Sequence, residues 1–288
     1  LHYRPRGLII NNVEYDHADI FPDLASIQRQ FHHLVRTVPA SGAIVYPADD
    51  AAVATVLEMG MWSRGRSFSL DGAGGEWSAS LSQPDGSAFA LGNRDAPRCV
   101  AVEWSHKGRH NVSNALAAAG LAETVGIPLE RSAAALRDFR GVKRRLELLG
   151  CIAGVSVYDD FAHHPTAIEV TLQGLRAAKA GGRIIAVIEP RSNTMRLGVH
   201  RERLSGCTRD ADQVLWFQPP GVDWDLESVA SASATPSRVY QSTDAIIGTL
   251  VAELQPGDQV VIMSNGGFEG IHRRLMLALE CAAASCAG

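Results

Sequence analysis

No apolar run in this chain is longer than a strand, and the runs alternate with segments of helical period. Gly7–Asn12 (GLIINN), Ala43–Tyr46, Val155–Tyr158, Arg183–Glu189, Gln213–Gln218 and Gln259–Met263 read as strands. Asp23–Val38 places Leu24, Ile27, Phe31, Leu34 and Val35 at helical spacing, and Asp49 or Asp50 can cap a helix through Met59 that stops at Gly60. Asn111–Val125, Leu129–Phe139, Pro165–Ala178, Thr243–Leu254 and Ile271–Ala284 read as further helices, and Arg203–Arg209 as part of one. Strands alternating with helices argue for α/β architecture, with parallel or mixed sheets covered on both faces.

Two departures from this rhythm set the expected organisation. From Arg66 to Trp104 the runs become short and alternating, with a turn signal at Pro84-Asp85-Gly86, so an antiparallel insert is expected over about 66–104. Arg140–Arg145 (RGVKRR) is a basic, glycine-containing joint, after which the strand–helix pattern restarts. Domains are therefore expected at 1–140 and 141–288. The loosest stretch is Pro219–Pro236. The chain opens at Leu1 and runs directly into a strand that reads as buried, which is expected of an internal start.

Charge and composition exclude several classes of function. Net charge is −4 with no long basic run, so no nucleic-acid partner is expected. The longest apolar runs, such as Ile184–Ile188, fall far short of the roughly 20 residues of a membrane span, and no signal peptide is apparent. Five cysteines without a C-x-x-C pair read as free thiols in a reducing cytoplasm.

In such sheets ligands gather at the carboxyl ends of strands. After GLIINN come Glu14, Asp16, His17 and Asp19, which could hold a hard cation, or could simply be a solvated loop with capping aspartates. After Val155–Tyr158 come Asp159, Asp160, His163 and His164, with Pro165 opening the next helix. A carboxylate there can accept from a ribose diol, and an imidazole can contact phosphate or adenine. After Ile188 come Glu189-Pro190-Arg191-Ser192-Asn193-Thr194-Met195-Arg196, whose two arginines suit a carboxylate ligand or simply face solvent. After Met263 come Ser264-Asn265-Gly266-Gly267-Phe268, where glycines let a ligand approach the backbone or merely make a tight turn. Asn111 and Asn114, three apart, share a helix face and suit an adenine edge. No G-x-x-x-x-G-K-[ST] stretch occurs, so no phosphate-cradling loop is apparent.

Four ordered motifs, DHAD (16–19), GRHNVSNALAA (108–118), FRGVKRRLELLG (139–150) and YDDFAHHPT (158–166), resemble the Mur ligases, which build or recycle the peptide of bacterial cell wall. Phe31-His32-His33-Leu34 and the loops after Ile188 and Met263 resemble the members that join a murein tripeptide to UDP-N-acetylmuramate; members that take L-alanine are the alternative. A nucleotide-binding module without catalysis is a third reading. The resemblance implies the back part of a central ATPase domain followed by a Rossmann-like C-terminal domain, without the domain for the UDP-sugar or the phosphate-binding loop. It implies ATP and Mg2+, a cytoplasmic monomer, and inactivity of these residues on their own. It further implies His17 as a metal ligand, and His110, Asn111 and Asn114 as adenine-side contacts. Asp160 with His163 would meet ribose and nucleotide, and Arg144 or Arg145 would be a nucleotide-sensing linker arginine. Arg191, Asn193, Arg196, Ser264, Asn265 and Phe268 would face the acceptor. One departure stands out: several relatives carry a carbamylated lysine in the helix after DHxD, and Asp23–Val38 holds no lysine.

Overall fold

Asp23 and Asp50 each turn the chain into a helix by accepting a backbone amide, from Ser26 at 2.7 Å and from Val53 at 2.9 Å. They open α1 (Leu24–Val35) and α2 (Ala51–Glu58) in a computed structural model that describes residues 2–70, 74–178 and 181–286. The chain divides into two units, 1–140 and 141–288.

The first unit has one sheet in which β1 (Gly7–Ile9), β2 (Ala43–Pro47), β3 (Arg64–Leu70), β4 (Trp77–Leu81), β5 (Ala88–Asn93) and β6 (Ala96–Glu103) lie in chain order. β1 to β4 are parallel, and β4, β5 and β6 meet antiparallel. The stretch expected over 66–104 as an antiparallel insert is thus not separate from the sheet: it begins within β3, which runs parallel to β2 and β4, and only the β4–β5 and β5–β6 pairings are antiparallel. β3 and β4 share only the pairs from Phe68↔Trp77 to Leu70↔Ala79. α1 and α2 bury Ile27, Val35, Val53 and Val56 with Ile10, Val13 and Ile44 in one core cluster. α3 (Arg109–Thr124) and α4 (Leu129–Asp138) pack with Val45, Phe68, Trp77, Phe89, Leu91 and Val102 in another. α3 lies against Trp77 at Gly120, where an added Cβ would stand 2.8 Å from the indole.

The second unit has sheet order β11-β10-β9-β12-β8-β7. β8 (Val155–Asp160), β9 (Ile184–Ile188), β10 (Gln213–Phe217), β11 (Ser237–Tyr240) and β12 (Gln259–Met263) are parallel. β7 (Glu147–Ile152) pairs antiparallel with β8 through a turn at Ala153 (φ +49°) and Gly154 (φ +81°). Side chains of β9 alternate between two cores. Ile184, Ala186 and Ile188 pack with α5 (Pro165–Ala178) and α8 (Leu226–Ala232). Ile185 and Val187 pack with α9 (Thr243–Glu253) and α10 (Ile271–Cys286). Both faces are covered, and strand order reverses at β9 and β12, the place where such sheets bind ligands. The stretch expected to be loosest contains α8, capped by Asp225. The helix expected around 203–209 is a single turn, α7 (Arg201–Leu204), that follows the equally short α6 (Asn193–Arg196).

Candidate functional site

In the first unit the residues of interest sit after β1 and at the start of α3. The turn between β4 and β5 fixes that start: the Gly108 amide (φ +92°) donates to the Asp85 carbonyl at 2.7 Å, and Lys107 Nζ lies 2.7 Å from Asp85 Oδ2. Burial alone would raise the Asp85 carboxyl. Its bonds to Lys107 and Ser87 outweigh burial and hold it below the usual carboxylate range. Asn111 Nδ2 donates to the Lys107 carbonyl at 2.7 Å, and Asn114 Oδ1 accepts from Asn11 Nδ2 at 3.1 Å. Each asparagine therefore keeps one amide atom without a partner among the described residues: Asn111 its oxygen, an acceptor, and Asn114 its nitrogen, a donor. His110 is half-buried beside them.

The loop after β1 does not gather its acids around a cation. Glu14 accepts from Asn12 at 2.9 Å and Asp16 from the His17 amide at 2.8 Å. His17 is exposed at φ +54°, and its carbonyl receives the amides of Ile20 and Phe21. Among the described residues no group of three or more His, Cys, Asp or Glu could hold a metal ion. The four-residue cation cluster is therefore corrected to a local turn network carrying one exposed imidazole.

In the second unit, the carboxyl ends of β8 and β12 are knitted together by Arg144. Its backbone is left-handed (φ +60°), and its amide donates to Glu147 Oε2 at 2.8 Å. Its guanidinium donates to the carbonyls of Ser264 (2.6 Å) and Gly266 (2.8 Å), lies 3.3 Å from Asp159 Oδ2, and stacks 5.0 Å from the Phe161 ring. Arg145 is exposed. Its guanidinium lies 5.5 Å from the centre of the Phe161 ring and makes no hydrogen bond or ion pair among the described residues, although its charge is felt at Asp160. The two linker candidates thus differ in the partners they meet.

Asp160 is 4% exposed, with Oδ2 accepting the Leu146 amide at 2.7 Å and Oδ1 the Ala162 amide at 2.8 Å. Burial pushes its carboxyl above the usual range, against the pull of those two amides and of Arg145. It thus ties the joint to the loop after β8. His163 Nδ1 lies 2.9 Å from the Phe161 carbonyl oxygen, which can only accept, so the ring proton sits on Nδ1 and the loop fixes the imidazole. Asp159, which sequence reasoning left without a role, also lies 3.1 Å from His272 Nε2. Burial lowers the His272 imidazole below 6.5, with Asp159 acting against the shift and Arg144 with it.

Glu189 follows the fully buried β9 and extends its ladder, its amide donating to the Met263 carbonyl at 3.0 Å. Its carboxylate is buried and accepts from the Ser264 hydroxyl, which itself accepts the Gly266 amide at 2.9 Å. Glu189 is the functional candidate that sequence reasoning missed. The signal was present, since a carboxylate in register with an unbroken apolar strand is carried inside with it. The exposed Arg191 lies over Gly266, and Asn265 sits in the same loop. Arg196 turns elsewhere, donating to the Pro220 carbonyl at 2.7 Å and lying against Gly221. Asn193 is exposed at the first turn of α6. Phe268 is core rather than ligand-facing: it is 2% exposed, its ring 5.3 Å from that of Phe217, at φ +45°.

Comparison with known proteins adds two family matches. The "Mur ligase middle domain" matches residues 2–122, and the "Mur ligase, glutamate ligase domain" matches residues 144–266. The UDP-N-acetylmuramate–L-alanyl-γ-D-glutamyl-meso-2,6-diaminoheptandioate ligase of Escherichia coli is 46% identical over 96% of this chain and 60% of its own length. The UDP-N-acetylmuramate–L-alanine ligase of Rubrobacter xylanophilus is 36% identical over 97% of this chain and 64% of its own. A crystal structure of a murein peptide ligase from Psychrobacter arcticus is 42% identical, with a TM-score of 0.70 over 97% of this chain and 58% of that one. The chain thus spans about three fifths of the length of the curated relatives it matches. Among the described residues no helix is long and apolar enough to cross a membrane.

Proposed function

The chain belongs to the Mur ligase family, and from that premise we propose that it carries the adenosine side and the acceptor side of an ATP-dependent ligase. That ligase joins the tripeptide L-alanyl-γ-D-glutamyl-meso-diaminopimelate to the lactyl carboxylate of UDP-N-acetylmuramate. The observation that carries this choice is the 46% identity to the tripeptide ligase over nearly the whole chain, against 36% for the alanine ligase.

In the proposed reaction a lactyl oxygen attacks the γ-phosphorus of ATP, ADP leaves, and an acyl phosphate forms. The tripeptide amine then attacks the acyl carbon. The bond from that carbon to the phosphate oxygen breaks, and the amine loses its protons as the amide forms. Positioning and charge stabilisation supply most of the acceleration in such chemistry. Asn111 Oδ1 and Asn114 Nδ2 offer the acceptor and donor that adenine's amino group and ring nitrogen need, with His110 beside them. Asp160 holds the loop that presents His163 to the nucleotide. Arg145, rather than the fully engaged Arg144, meets phosphate charge. Arg191, Asn193, Arg196, Ser264 and Asn265 lie on acceptor-side loops, and Phe268 anchors one of them.

Magnesium, carried in by the nucleotide, would offset phosphate charge. His17 is the residue of this chain that would serve as a protein ligand to it. The 288 residues hold no glycine-rich phosphate cradle, so the proposed activity is that of a chain that includes one. We place that enzyme in the cytoplasm as a monomer.

The test is oxygen transfer. The chain joined to a Mur ligase amino-terminal segment carrying the phosphate-binding loop should move one labelled oxygen from an 18O-carboxylate donor into released phosphate. Amide formation without label in the phosphate would overturn the acyl-phosphate reading.

A further inference from the structure

One peptide unit at the start of α3 has both its polar ends in use. The Lys107 carbonyl accepts from Asn111 Nδ2 at 2.7 Å, and the Gly108 amide, the other end of that unit, donates to the Asp85 carbonyl at 2.7 Å. A carbonyl oxygen can only accept, so it draws the Asn111 nitrogen to itself and leaves Oδ1 turned away. Gly108 sits at φ +92°, where glycine moves freely and most side chains do not. A rotated peptide there would offer Asn111 an N–H, and the side-chain amide would turn round to show a donor instead of an acceptor. The bond to Asp85 closes that option.

Asp85 is itself braced in the turn between β4 and β5. Its Oδ1 accepts from the Ser87 amide at 2.9 Å and the Ser87 hydroxyl at 2.6 Å, and its Oδ2 lies 2.7 Å from Lys107 Nζ. The turn and the loop before α3 are therefore joined twice, by that ion pair and by the Gly108 amide. Trp104 Nε1 adds a bond to the Gly86 carbonyl at 2.8 Å, and an added Cβ on Gly86 would stand 3.1 Å from the Gly108 oxygen. Asn114 differs. It accepts from another amide, that of Asn11, and two amides can turn together and exchange donor for acceptor.

We infer that Asp85 and Lys107 are positioning residues that set nucleobase choice: through the Lys107–Gly108 peptide they hold Asn111 Oδ1 as a fixed acceptor for a purine with an amino group at C6. An amino group there donates to Oδ1. An oxygen there would set two acceptors against each other, and an amide that cannot turn offers no relief. The inference rests on the adenine-side reading of Asn111 and extends it to two residues that act through it.

Ligand-observed NMR titration of the chain with adenosine and with inosine, its 6-oxo counterpart, tests it. The parent should bind adenosine at least about tenfold more tightly than inosine. Asp85→Ala and Lys107→Met should bring the two within about threefold, mostly by weakening adenosine, while Lys107→Arg keeps the ion pair and the preference. Circular dichroism identifies folded variants. If Asp85→Ala does not fold, Lys107→Met, which leaves the bonds between Asp85 and Ser87 in place, carries the comparison. A preference unchanged in Lys107→Met, or a parallel loss of both nucleosides, would give the pair a purely structural part and overturn the inference. Inosine bound by the parent as tightly as adenosine would remove Asn111 Oδ1 as the selecting group. Failure of the folded parent to bind adenosine at all would instead remove the adenine-side reading on which the inference rests.

Discussion

Single residues at the ends of β8, β9 and β12 carry most of what distinguishes this chain from a generic α/β protein. Asp160 and Glu189 are both buried carboxylates, yet they differ in kind. Two backbone amides occupy the oxygens of Asp160, whereas Glu189 meets one hydroxyl and no cation among the described residues. His272 shows how such burial reads out in stability. Its folded value lies below 6.5, so between that value and 6.5 the unfolded chain binds the extra proton and native stability falls as pH is lowered. Melting followed from about pH 7.5 down to about pH 5.5 should therefore show a smaller loss for His272→Gln than for the parent chain, by this linkage. Parallel losses would mean that the imidazole titrates alike in both states. Sequence alone could name Asp160, His163 and Arg191 as candidates because their residue types are unusual for a strand-to-helix loop. It could not tell which side chains the fold would engage. Phe268 looked like part of a glycine-rich ligand loop, yet its left-handed backbone turns the ring onto Phe217.

At the level of elements, strands and helices were legible wherever an apolar period met a cap. Asp23, Asp50 and Pro165 each open a helix at the expected place. What escaped were elements defined by how they pair rather than by their own period. β7 (ELLGCI) has its apolar residues interrupted at Gly150, where its register against β8 also shifts. Most of β3, together with β4, looked like part of an antiparallel insert because period cannot reveal whether a strand joins its neighbour in parallel. The joint at 140–145 was legible as a break in pattern, but the division of labour between its two arginines was not. Arg144 bridges the loops after β8 and β12, and its removal would orphan the carbonyls of Ser264 and Gly266 and the charge of Asp159. Arg144→Ala should cost about 2–4 kcal/mol in denaturant unfolding. Arg145→Ala should stay within about 0.5 kcal/mol of the parent, as exposed positions do. In the enzyme completed with a phosphate-binding loop, Arg145→Ala should nevertheless lower turnover by about a hundredfold or more, the loss expected when a charge-stabilising group is removed. Equal destabilisation by the two substitutions would return Arg145 to a structural part.

For the whole molecule, two family matches fall one in each unit, and each unit has a two-faced sheet with a core on both sides. The first contributes asparagines with one acceptor and one donor to offer. The second contributes an exposed arginine and a fixed imidazole. The triphosphate cradle is what the 288 residues do not contain. The central claim is that the chain serves an amide-forming ligase whose acceptor is a peptide rather than a free amino acid. It is tested most directly by acceptor-dependent phosphate release from the chain joined to a Mur ligase segment that carries the phosphate-binding loop, with ATP and UDP-N-acetylmuramate saturating. Release is predicted to depend on L-alanyl-γ-D-glutamyl-meso-diaminopimelate and to be faster with it than with L-alanine at equal concentration. Faster release with free L-alanine would contradict the account.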